Sequence, residues 1–262
     1  MTANDVVERI KKNLGIPWNE KTYRDTFKVG DPQTEVKGIA TTFMATLDLI
    51  QRAHAAGVNF VITHEPTFWS DRDTVAGLTD DPIYKFKVDF CARNQMVVWR
   101  FHDHIHAHQP DLIWVGLARA LGWQERPGPG SRGQFTFPQT TLGELAAAIA
   151  RRMNIRAMRV VGDPKAKVSS AAAGMGYNIP RVTPSVDVVI GGENPEAGGQ
   201  FDDTEYVLDA AFFGRNHGQI ILGHQVSEEP GMEDCATWLR TFVTEVPIRW
   251  IRAGEPFWSP KA

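Results

Sequence analysis

Thiols are almost absent from this chain: of its 262 residues only Cys91 and Cys235 are cysteine. Neither stands in a C-x-x-C spacing, which excludes a disulfide scaffold, a thiolate zinc site and dithiol redox chemistry. Two reduced cysteines, buried in helical segments, are expected instead. No apolar run approaches the roughly 18 residues of a membrane span, so no membrane partner is expected. A charged start followed by an apolar stretch is also missing, and the expectation is a cytoplasmic protein without a secretory signal. The formal net charge of -3 leaves no basic excess of the kind that binds nucleic acid. Arg151, Arg152, Arg156 and Arg159, the densest basic stretch, read as the solvated face of a helix and its exit. Three catalytic signatures are absent too. No G-x-S-x-G elbow surrounds Ser227 or any other serine, no G-x-x-x-x-G-K-[ST] loop occurs, and Gly174-Met175-Gly176 is too short for a dinucleotide fingerprint.

What is present is a regular alternation of strand-like and helix-like stretches. Helices are predicted over residues 4–14, 44–56, 81–94, 111–121, 141–153, 203–215 and 233–244, each from apolar spacing and a cap or stop residue. Strands are predicted over residues 36–42, 58–63, 96–101, 157–161, 168–173, 187–191 and 219–223, with 247–252 as a final edge strand. The glycine- and proline-rich stretch 126–133 reads as a loop between lobes. The expected fold is therefore α/β, with two similar lobes of mixed sheets flanked by helices, residues 1–125 and 134–262.

Histidine is where the sequence is unusual. Four of the eight, His102, His104, His106 and His108, fall within seven residues and follow the apolar run Met96-Val97-Val98-Trp99. His64 ends the strand-like 58–63, and His224 ends 219–223. Ligand sites in open α/β sheets collect outside the carboxyl ends of strands, so three such ends carrying imidazole or carboxylate point to a metal site there, between the lobes. His102 and His106 are four apart, as are His224 and Glu228, a spacing that places both groups on one face of a helical turn. A lone histidine at a strand end is more often a core or surface residue, and four at alternate positions also describe one exposed strand face. Their coincidence at three strand ends favours the metal. Gly191-Gly192-Glu193 reads equally as a pocket wall and as a tight turn, while Phe68, Trp69 and Trp99 read as core before they read as a pocket for a planar substrate.

These blocks resemble those of the NIF-three-like dinuclear metal-centre family, also described as type-two GTP cyclohydrolase I homologues. Trp18-Asn19 and Val29-Gly30-Asp31-Pro32 echo its opening stretch, His64-Glu65-Pro66 its H-H-P, His102 to His106 its H-T-x-x-D, and Gly191-Gly192-Glu193 its T-G-E. Gly223-His224-Gln225-Val226-Ser227-Glu228 matches its closing G-H-x-x-S-E in full. The resemblance implies His64, His102, His224 and Glu228 as metal ligands. Glu65 and His106 replace a histidine and an aspartate of the pattern, and both can still ligate. It further implies two divalent transition-metal ions, zinc, iron or manganese, and a homohexamer built as a trimer of dimers.

A binuclear centre activates water and polarises a substrate oxygen. The expected function is hydrolysis of a C–N bond in a small cyclic or heterocyclic amide-like molecule. Glu65 is expected as ligand or general base, and His104 or His108 as an oxyanion stabiliser or a support for the ligands. A phosphoesterase would want cations beside the metal, where the sequence offers only Arg72 and Arg100. A metal-binding scaffold without turnover is the expectation from a different class.

Overall fold

The computed structural model describes residues 1–123, 133–196 and 199–260. In chain order the elements are α1 (Ala3–Asn13), β1 (Phe27–Val29), β2 (Ile39–Thr42), α2 (Leu47–Ala55), β3 (Phe60–Thr63), α3 (Pro82–Arg93), β4 (Val97–Arg100), α4 (Asp103–Ala107) and α5 (Leu112–Leu121). They continue as β5 (Gln134–Thr141), α6 (Leu142–Met153), β6 (Arg159–Val161), β7 (Lys167–Ala173), β8 (Val188–Gly191), α7 (Gly199–Phe212), β9 (Gly218–Ile221), α8 (His224–Leu239) and β10 (Ile248–Trp250).

Two five-stranded mixed sheets, flanked by helices, carry the expected α/β fold. The first has the order β1-β4-β3-β2-β10 and the second β5-β7-β8-β9-β6. In the first, β4, β3, β2 and β10 run parallel and β1 is antiparallel. In the second, β7, β8 and β9 run parallel between antiparallel edges β5 and β6. Every residue of β2, β3, β4, β8 and β9 is buried, as expected of parallel strands covered on both faces. This explains why they read as unbroken apolar runs.

The units are not the sequential lobes 1–125 and 134–262. The first comprises residues 1–113 and 231–253, the second 114–230 and 254–262. The tail returns because β10 pairs in parallel with β2, Ile248 opposite Ile39. Of the anticipated 126–133 loop, only Gly133 lies among the described residues.

Helix starts follow local capping. Thr2 and Asp5 form a capping box on α1, Thr141 and Glu144 one on α6, and Asp81 accepts the amides of Ile83 and Tyr84 ahead of Pro82. The largest departure is α8. It starts at His224, nine residues before the predicted 233, and runs through Pro230. Gly231, next in sequence, lets the helix pass close to Ile113: a Cβ there would lie 2.4 Å from Ile113 Cα. The strands β1 and β5 were not anticipated. β1 is a half-buried edge of three residues, and β5 carries Pro138 where its pairing with β7 shifts register between Thr136 and Thr140. Among the described residues no helix is long and apolar enough to cross a membrane.

Candidate metal centre

In the first unit, β3 and β4 end side by side, Thr63 opposite Arg100, and this register brings His64 and His102 together. The residues from Asp103 to Ala107 form the short helix α4, not an exposed strand face, so His106 stands one turn beyond His102. The rings of His64 and His102 lie 4.6 Å apart and nearly parallel, and His106 meets them edge-on at 5.0 and 5.1 Å. One ligand-capable atom from each lies within 4.8 Å of the others.

Each ring is oriented through Nδ1. That atom sits 3.2 Å from the Phe101 carbonyl in His64, 3.1 Å from Asp103 Oδ1 in His102 and 3.1 Å from Asp111 Oδ2 in His106. A carbonyl only accepts, so Nδ1 of His64 carries the proton, and a neutral ring then keeps its lone pair on Nε2. Carboxylates impose the same tautomer on His102 and His106. Support of this kind is typical of imidazoles that ligate metal. Burial pushes the His102 imidazolium down to about 4, with neighbouring His64 acting in the same direction and Glu65 opposing, so the ring is neutral at physiological pH.

Two residues beyond the histidine blocks build this site. Asp25, buried in the loop before β1, accepts the backbone amides of His102, Asp103 and His104 at 2.6, 2.9 and 2.9 Å. It thus caps α4, whose own N-cap residue has no side-chain cap bond. Arg100 is fully buried at the end of β4 and donates to the His64 carbonyl, the Asp71 carbonyl and Glu65 Oε2. The same guanidinium reaches Asp71 Oδ1 at 3.3 Å. With its donors occupied, Arg100 does not offer a phosphate-binding cation. Glu65 presents its second oxygen, Oε1, 3.8 Å from His102 Nε2.

His104 is not brought to the cluster. Its Nδ1 donates to Asp25 Oδ2 at 2.5 Å, its Nε2 accepts the Asn19 amide at 2.9 Å, and its ring stacks on Trp18 at 3.7 Å. With both nitrogens engaged, it stabilises the start of α4. His108 is half-buried and turns to the Pro110 carbonyl.

In the second unit, His224 follows β9 and Glu228 stands one turn along α8, their Nε2 and Oε2 2.9 Å apart. Glu193, from the turn after β8, holds His224 Nδ1 at 2.8 Å. A neutral imidazole has one N–H, so with carboxyl oxygens at both nitrogens a second proton, on the ring or on a carboxyl group, or a shared cation must lie in one of the two contacts. The 2.9 Å separation matches neighbouring donors on one ion at bond lengths of about 2.0–2.2 Å. The donor set therefore fits a divalent metal.

Glycine walls this set. Gly176 has φ +53, and a Cβ there would lie 2.2 Å from Glu228 Oε1. A Cβ on Gly192 would meet Ser227 Oγ and the Gly176 carbonyl at 2.5 Å. The Gly176 amide donates to Ser227 Oγ, and the Glu193 amide donates to the Gly176 carbonyl. Ser227 in turn donates to the His224 carbonyl, so its hydroxyl is structural. The glycine pair and turn left open by sequence thus form one backbone wall beside the second donor set.

Cys91 and Cys235 are free and buried, and burial pushes the Cys91 thiol up to about 11 and the Cys235 thiol up as well. Arg152, Arg156 and Arg159 are paired within their own unit, with the Ala120 carbonyl, Glu255 and Glu196.

Comparison with known proteins matches residues 1–254 to the family Duf34/NIF3 (NGG1p interacting factor 3). A "GTP cyclohydrolase 1 type 2 homolog" from Chlamydia pneumoniae is 26% identical over 255 residues, covering 88% of this chain and 89% of that protein. Among solved structures, the Staphylococcus aureus hypothetical protein SA1388 superimposes with a TM-score of 0.73 at 15% identity, over 99% of both chains. A Bacillus cereus protein related to NIF3 does so with a TM-score of 0.71 at 13% identity, over 98% of both chains. At these identities the structural likeness speaks for the fold.

Proposed function

The chain belongs to the Duf34/NIF3 family, and from that premise we propose that it is a metal-dependent hydrolase, cleaving a C–N bond in a small cyclic or heterocyclic amide-like molecule. The carrying observation is the convergence of His64, His102 and His106, each with Nδ1 tied to an acceptor. These three would hold one divalent ion, and His224 with Glu228 would contribute to a second; zinc, iron and manganese all suit imidazole and carboxylate. Bound ions of this kind supply Lewis acidity and make water nucleophilic near neutral pH. The name of the Chlamydia relative, a cyclohydrolase homolog, favours the substrate class.

The protein's own groups divide the remaining work. Phe101, Asp103 and Asp111 fix the ring orientations, and Asp25 fixes the turn that carries two of the rings. Glu65 Oε1 is the group placed to take a proton from the attacking water and return it to the leaving nitrogen, while Arg100 holds Oε2. The assembly is a homohexamer, a trimer of dimers, in the cytoplasm.

The test is metal content of untagged protein, with wild type compared to His64→Ala/His224→Ala. About two transition-metal ions per chain, lost in the double variant, is the expected result for a two-metal centre. Glu65→Gln is expected to keep its metal and lose turnover of cyclic amides. Metal-loaded protein that turns over none of these substrates would favour a scaffold and refute the hydrolase.

A further inference from the structure

The loop between β3 and α3 carries a feature that the metal chemistry does not use. Side chains from the 68–78 stretch, Trp69, Asp71 and Arg72 among them, line a cavity of about 440 Å³. Its most prominent side chain is Trp69, 56% exposed, on a backbone with φ +54. Left-handed backbone is rare for a bulky aromatic and persists only where its surroundings enforce it, a pattern concentrated at functional sites.

The surroundings here do enforce it. Asp73 Oδ1 accepts the amides of Thr67 and Phe68 at 2.6 and 2.7 Å, and its other oxygen faces Lys28 at 3.3 Å. Asp71 is held by both Arg24 and Arg100. Beneath the indole, buried Lys87 places Nζ 5.8 Å from the ring centroid and donates to the Thr67 carbonyl, while Phe68 packs edge-on at 6.3 Å. The ring is therefore supported by the loop and by α3 and is partly open to solvent, as a stacking platform must be. Arg72 lines the same cavity, with its guanidinium over the Tyr23 ring at 4.6 Å.

We infer that this cavity is a recognition subsite for a planar heterocycle bearing an anionic group, with Trp69 stacking on the ring and Arg72 pairing with the charge. Trp69 follows Glu65 by four residues, which limits their Cα separation to about 14 Å, within the span of a nucleotide-sized molecule. As a binding site it stands on this loop alone. As an element of catalysis it rests on the hydrolase proposal.

The experiment is calorimetric titration of the metal-free full-length chain with GMP and AMP, and with ribose 5-phosphate as the anion without a ring. Both nucleotides are expected to bind, with ribose 5-phosphate at least about fivefold weaker, the low end for a base stacked on an aromatic. Trp69→Asn, which tolerates the left-handed backbone, is expected to lower GMP affinity by at least the same factor, and Trp69→Phe to retain most of it. Arg72→Gln is expected to weaken GMP and leave guanosine unchanged. No binding of either nucleotide, equal binding of ribose 5-phosphate, or an unchanged Trp69→Asn variant would each overturn the inference. Nucleotide binding through Trp69 without turnover by loaded protein would refute the hydrolase and leave the subsite standing. Turnover of a heterocycle unaffected by Trp69→Asn would do the reverse.

Discussion

Acidification of the metal-free protein offers the sharpest test of how the first donor set is built. Burial pushes His102 from its ordinary 6.5 down to about 4. The folded protein therefore binds fewer protons than the unfolded chain throughout that interval. Stability from this group is fully present above pH 6.5, falls as pH drops, and is gone below about pH 4. At about 1.4 kcal/mol per pH unit, the fall amounts to at most about 3 kcal/mol. The side chain remains only 22% exposed, which makes solvent screening a modest correction. The assay is urea unfolding of chelator-treated wild type and His102→Gln at intervals between pH 4 and 7.5. Carboxylates titrate in both proteins and largely cancel, so the stability difference between them should shift by about 2–3 kcal/mol across the window, against the wild type at low pH. Curves that stay parallel to within about 0.5 kcal/mol would refute the burial argument, since surface histidines produce no such difference.

Three further outcomes follow from the same contacts. Asp25→Ala should destabilise the protein by about 3 kcal/mol or more, because three backbone amides and the buried His104 ring lose a charged acceptor; chemical denaturation reads this, and zinc binding at the first donor set should weaken with it. Gly176→Ala should cost about 1–2 kcal/mol for left-handed backbone alone and displace Glu228. Metal analysis should then show loss at the second set with the first retained. Burial holds Lys87 down at about 8 against its ordinary 10.5, so the unfolded chain binds more protons between these values. Wild-type stability should therefore rise by up to about 3 kcal/mol relative to Lys87→Met as pH climbs through that window, measured by urea unfolding.

The strands that carry histidine were legible because parallel strands buried on both faces read as apolar runs, and a histidine ending such a run stands out. His102 and His106 were paired by spacing alone, yet the helix beneath them was not visible. Its N-terminus is capped by Asp25, 77 residues before His102 in sequence and without any local signature. Arg100 read as part of a strand, and only the fold shows its guanidinium gripping Glu65 and the 68–78 loop. Glu193 was visible as part of a turn, but its bond to His224 spans 31 positions. The start of α8 was missed because Glu-Glu-Pro-Gly reads as a break, and a close approach to Ile113 is what a glycine there permits. Local chemistry thus revealed the candidate donors, while the groups that orient them come from distant stretches of chain.

The return of β10 to β2 also sets an order of assembly on the ribosome. Residues 114–230 form one uninterrupted stretch and can complete their sheet as soon as they emerge. The first unit cannot, although its first 113 residues are made earlier, because β2 remains an open edge until residues 248–250 have been translated. The sheet whose strand ends carry His64 and His102 is thus begun first and closed last. A nascent chain stalled short of β10 exposes an unpaired, fully buried-type strand, the kind of edge that recruits other chains.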